Sequence, residues 1–138
     1  MRIARIGTWL VAAAIGFVYG VAGTIGQAAQ WGSVPLGLVI AVAGIGGLLL
    51  AVRLLTADRW TALAAGLGAL IATLLFSGEG PGGSVVVPAP SEGETMTTGL
   101  VWSIAVPLIT AIVLAWPAPP AAPPSTAEAS ERELDWTP

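Results

Sequence analysis

The sequence has no cysteine, no histidine, no lysine and no asparagine. Without cysteine and histidine there are no disulfides, no thiolate or imidazole metal sites and no imidazole acid–base catalysis, and without lysine there is no Schiff-base chemistry. The redox compartment leaves no mark on such a chain. Charge is scarce too: 9% of the 138 residues are charged, and the five arginines are dispersed, too sparse a set to follow a phosphate backbone. Nucleic acid is therefore excluded as a partner. The formal charge of -3 arises from two acidic stretches, 79–94 and 128–135, and not from a diffuse surface.

What remains is apolar. Residues of the hydrophobic class make up 55% of the chain, and its mean hydropathy is +0.84. A soluble domain of this length cannot hide that much apolar surface in one core, so the solvent must be lipid.

The chain is organised around Arg53-Leu-Leu-Thr-Ala-Asp-Arg59, a cluster of charge between two uncharged runs of seventeen residues, 36–52 and 60–76. Two helices meet there at a membrane surface. Before them, residues 6–25 follow Arg2 and Arg5 as twenty uncharged positions, about 30 Å as a helix, which matches the hydrocarbon thickness of a bilayer. A basic start and an apolar run also describe a secretory signal. The run exceeds the usual signal core, however, and Gly26-Gln-Ala28 is a poor cleavage site. Pro35 opens the second helix, where its missing N–H costs nothing. Leu54 and Leu55 extend that helix if Arg53 snorkels to the headgroups. The last apolar run, from Gly99 to Trp116, contains Pro107, which bends a membrane helix where a neighbour or water satisfies the freed carbonyl.

The expected fold is all-α: a polytopic four-helix transmembrane bundle over residues 1–116, with spans of about 6–26, 36–55, 60–76 and 99–116. Short connectors make the first three helices consecutive antiparallel neighbours. An outer loop, 77–98, is rich in glycine and proline, and its Ser84-Val-Val-Val87 has strand character without an evident partner. Residues 117–138 form a proline-rich acidic tail with too little apolar content to fold alone. Ser130-Glu-Arg-Glu133 has the spacing of a capping box, and Leu134 and Trp136 are the positions at which the tail would dock on a partner.

Orientation follows from the arginines. With the amino terminus inside, Arg2, Arg5, Arg53, Arg59 and Arg132 all fall on the cytoplasmic side, which also places the tail there. Trp9, Trp31, Trp60, Trp102 and Trp116 lie near span ends, where indoles anchor at the interface.

Small residues recur every four positions on each helix: Ala12, Gly16, Gly20 and Thr24; Ala43, Gly47 and Ala51; Ala64, Gly68 and Ala72; Ser103, Pro107, Ala111 and Ala115. Lipid provides no hydrophobic drive for helix pairing, so close backbone approach along such ridges takes its place. Gly16, Gly20, Gly47, Gly68 and Ala111 are the expected packing positions, with Gly16-Phe-Val-Tyr-Gly20 foremost. A chain this rich in Ala and Gly also produces such spacings by composition.

Tyr19, Thr24, Thr73, Ser103 and Thr110 place hydroxyls within the spans. They either bond to backbone carbonyls or line a polar path; no span carries an ionisable carrier for protons. Glu79, Glu92 and Glu94 match no cation-binding loop and read as solvated charge, while the glycines of 78–83 lack the Lys and Ser/Thr of a phosphate cradle. Arg53, Asp58 and Arg59 pair across their turn or touch anionic headgroups, and exposed pairs of this kind are worth under about 1 kcal/mol.

Gly80-Pro-Gly-Gly-Ser-Val-Val-Val-Pro88 and Gly99-Leu-Val-Trp-Ser-Ile, with Arg used in place of Lys and heavy use of Ala, Gly, Val and Pro, resemble small four-span membrane proteins of high-GC actinobacteria, mycobacteria included. The resemblance implies the plasma membrane and carries no catalytic or binding residue. The reading is a non-catalytic membrane protein, an accessory or scaffolding subunit that packs against itself or a larger complex in the bilayer. No cofactor, metal or small-molecule substrate is identifiable. The alternative is a small transporter or channel component in which Pro107 breaks a helix around a hydroxyl-lined path.

Overall fold

The computed structural model describes residues 2–77 and 96–117. Four α-helices follow in order: α1 (Arg2–Gly26), α2 (Leu36–Thr56), α3 (Arg59–Ser77) and α4 (Thr98–Ala115). All four are long and apolar enough to cross a membrane. The shortest has 18 residues, about 27 Å of rise. Among the described residues there is no strand, only an isolated pairing of Trp31 with Val34 that tightens the first connector around Gly32 at φ +64°. The loop and tail expectations, including Ser84–Val87, Leu134 and Trp136, lie outside the described residues.

Local chemistry sets the helix ends. Pro35 occupies the N-cap of α2, and Ala57 closes that helix in the left-handed region at φ 49°. Thr97 caps α4 by accepting from the Leu100 amide at 3.2 Å.

The burial pattern is the inverse of a soluble bundle. On α3 the inward residues are Thr61, Ala62, Ala65, Gly66, Gly68, Ala69, Ala72 and Thr73, while Leu67, Ile71, Leu74 and Leu75 point outward. The same holds on α1, where Ala12, Gly16, Gly20 and Thr24 are buried and Leu10, Val11 and Val18 are exposed. On these two helices large aliphatic side chains thus face the surroundings and small ones face the neighbours, whereas α2 and α4 also turn Ile45, Leu49, Trp102 and Val106 inward. That division suits lipid, where close contact and not apolar burial favours helix pairing.

The dominant contact is α1 against α3, two helices running in the same direction. Consecutive helices touch, as the short connectors imply, although the closest pair is not one of sequence neighbours. A Cβ built on Gly20 would lie 2.5 Å from the Ala69 carbonyl oxygen, and one on Gly68 would lie 2.9 Å from the Ala13 carbonyl carbon. Real Cβ atoms do not approach backbone so closely, so only glycine permits this spacing. The other junctions are built similarly. Tyr19 fits over Gly44 of α2 and donates to the Ala41 carbonyl at 3.2 Å, and Thr110 of α4 sits over Gly66 of α3.

On α2 the ridge turned inward is Ala41, Ile45 and Leu49, not Ala43, Gly47 and Ala51. Gly47 is exposed with no atom within reach of an added Cβ, and Ala111 of α4 is exposed as well. Neither belongs to the packing of this bundle. Both ridges have correct helical spacing but lie on the opposite side of their helices. Gly16, Gly20 and Gly68 are all buried between α1 and α3.

Candidate functional site

The amino termini of α1 and α3 and the carboxyl ends of α2 and α4 come together at one end of the bundle, and the charge of the described residues gathers there. Arg5, Arg53 and Arg59, with Asp58, Trp60 and Trp116, line an open basin of about 720 Å³. The opposite connector, 27–35, carries no charge. The side chain of Arg2, and all of Arg132, lie outside the described residues.

Asp58 is the hub of this end. It precedes α3, and its Oδ1 accepts the Trp60 amide at 3.0 Å, as an N-cap carboxylate does. Its Oδ2 accepts the Thr61 hydroxyl at 3.0 Å and, from α1, the Trp9 indole N–H at 3.1 Å. Arg5 stands 3.8 Å from Oδ1 and lies over the Trp9 ring, 5.5 Å from its centroid. Asp58 therefore pairs with α1, not with Arg53 or Arg59 across its own turn, and it fixes the register of α1 on α3. Partial burial works against its charge, but the bonds from Trp9, Trp60 and Thr61 and the nearby Arg5 outweigh it and hold the carboxyl below the ordinary aspartate value. Because the folded-state value is depressed, the stabilisation is present above the unfolded value near 3.9 and is lost as pH falls through the folded one. Asp58→Ala should cost about 2 kcal/mol at neutral pH, from the cap and the interhelical bond together. The same variant should flatten the acid limb of a melting-temperature profile recorded from pH 7 downward.

Arg53 has a different task. Its guanidinium donates to the carbonyls of Val113 and Trp116, the unpaired acceptors at the end of α4. A cation over a helix C-terminus satisfies both the orphan carbonyls and the dipole. The side chain thus turns into the bundle and joins α2 to α4, where snorkelling toward headgroups is the sequence expectation. Arg53→Gln should fray the last turn of α4, seen as faster hydrogen exchange at the Trp116 amide, which bonds to Ile112 at 3.0 Å. Arg59 lies over Trp60, 5.9 Å from the ring centroid, and has no acidic partner among the described residues.

The span hydroxyls are largely consumed by the fold. Thr24, Ser103 and Thr110 donate to the carbonyls of Gly20, Gly99 and Val106 at 2.7, 2.9 and 2.8 Å. Pro107 is exposed on the outer side of α4. Thr24 also accepts the indole N–H of Trp102 at 3.1 Å, and Trp102 is wholly buried. This tryptophan is a core residue and not an interfacial anchor: a Cβ on Gly23 would run into its ring, 2.6 Å from Cη2. Gln27 is likewise buried, although its place in a polar connector suggests exposure. Its Oε1 and the Thr73 hydroxyl have no hydrogen-bond partner among the described residues. No cluster of three or more metal-ligating side chains occurs among the described residues.

The class defined by this architecture is a four-helix bundle whose helices fit a multi-pass membrane protein. No protein-family model, curated protein or solved structure matches the chain.

Proposed function

We propose that the chain is a non-catalytic accessory or scaffolding subunit of a larger membrane complex. The observation that carries this reading is the outward position of Ala43, Gly47 and Ala51 on α2. The equivalent stripes of α1 and α3 bring two backbones together, while that of α2 has no helix against it among the described residues. In lipid, such a stripe is the surface another helix can approach most closely. Gly47 is its centre. Residence in the plasma membrane rests on the actinobacterial resemblance. A cytoplasmic position for both termini rests on the arginines: Arg5, Arg53 and Arg59 share one end of the bundle.

The test is extraction in mild detergent at native expression level, followed by mass spectrometry of the intact assembly. A stoichiometric second polypeptide is expected, and Gly47→Leu should release it while leaving the melting temperature of the chain unchanged. A chain that travels alone, or a complex indifferent to Gly47→Leu, contradicts the reading. A self-contained oligomer that conducts a solute supports the transport alternative instead.

A further inference from the structure

We propose that the arginine-lined basin seats the headgroup of an anionic phospholipid, with its phosphate held by Arg59 and by the remaining N–H groups of Arg5. The first argument is charge. Three guanidinium groups and one carboxylate line the basin, an excess of positive charge at the level where lipid phosphates lie. The second is availability of donors. Both oxygens of Asp58 already accept bonds from Trp9, Trp60 and Thr61, its cationic neighbour is Arg5, and Arg59 is paired with neither oxygen. A guanidinium has five donors. Arg59 makes no hydrogen bond or ion pair among the described residues, and Arg5, which is mostly exposed, spends one nitrogen on a long contact with Asp58.

Arg53 is already committed to the carbonyls of α4, which holds its positive charge in place without requiring it to touch the ligand. The walls fit a lipid better than a free anion. Trp60 and Trp116 are exposed at the rim, at the depth where indoles meet glycerol and headgroup, and Leu54 and Leu114 continue the wall with apolar surface for the first methylenes. A volume of about 720 Å³ suits a whole headgroup.

The experiment places the full-length chain in nanodiscs of equimolar phosphatidylcholine and phosphatidylglycerol and measures, by native mass spectrometry, which lipid stays bound. Phosphatidylglycerol should be retained preferentially. Arg59→Gln should lower that preference about five-fold, the worth of one arginine near a charged surface, and Arg59→Lys should keep most of it. Equal retention of the two lipids by the wild type would overturn the proposal, as would an unchanged preference in Arg59→Gln. Two further arms identify competing occupants. Binding of inorganic phosphate in phosphatidylcholine-only discs, lost in Arg59→Gln and unaccompanied by any phosphatidylglycerol preference, would make the basin a free-anion site and overturn it. A preference that emerges only after Glu128, Glu131, Glu133 and Asp135 are all converted to their amides would assign the basin to the acidic tail and also overturn it.

Discussion

Gly16→Ala is expected to cost the bundle about 3 kcal/mol, the upper end of the range for overpacking. A single methyl group has this effect because of what it meets. The new Cβ would run into the Ala65 carbonyl oxygen, 2.6 Å from the carbonyl carbon and 2.9 Å from Cα. All three are backbone atoms of an intact helix, so no side chain can rotate aside. The helices must part, and the separation propagates: the Gly20 and Gly68 contacts belong to the same two helices. Parting them weakens the dispersion and the Cα–H···O contacts that close helix approach in lipid provides. Gly47→Ala is the control, because nothing lies within 4 Å of the added atom; its effect should stay within about 0.5 kcal/mol. Thermal unfolding of both variants in one detergent gives the comparison. A Gly16→Ala protein that melts with the wild type would show that α1 and α3 are not in backbone contact.

Trp102→Ala should be comparably severe, about 3–5 kcal/mol, because it empties the largest fully buried side chain of the core. The indole fills the space above Gly23 and joins α4 to α1, a pair with little other contact. Trp102→Phe separates shape from polarity. It keeps most of the ring but removes the N–H that Thr24 accepts, and it should cost about 1 kcal/mol plus the volume change. Thr24 keeps its own bond to the Gly20 carbonyl, so its hydroxyl proton is not orphaned. In Trp102→Phe/Thr24→Val the two losses should be less than additive, since both remove the same bond. Strict additivity would mean that the bond contributes nothing.

The four helices are legible in the sequence because their signals are local: length without charge, a proline at the start of α2, and charge confined to a turn. The facing of each helix is much less so. In a soluble helix the polar side marks the outside, but here both sides are apolar, and size separates them on α1 and α3 but not on α2. Ala41, Ile45 and Leu49 therefore compete on equal terms with Ala43, Gly47 and Ala51, and both sets have four-residue spacing. On α1 the ambiguity is smaller, because Gly16 and Gly20 have large aliphatic residues such as Ile15 and Val18 beside them. Trp102 carries the same positional signature as an interfacial tryptophan. What distinguishes it is Thr24, 78 residues away, and no local pattern conveys that. The basin is half visible: the arginines stand out as topological markers, whereas the partnership of Asp58 with Trp9 and Arg5 requires α1 to lie on α3.

The chain contains no cysteine, which permits the most direct test of the four-helix membrane topology. Single variants Ser33→Cys and Thr56→Cys place a thiol at exposed positions at opposite ends of α2, clear of the core. With a membrane-impermeant maleimide on intact cells, Ser33→Cys should label at once and Thr56→Cys only after permeabilisation. Labelling of both positions from the same side of the membrane would contradict α2 as a span, and with it the bundle as a transmembrane unit.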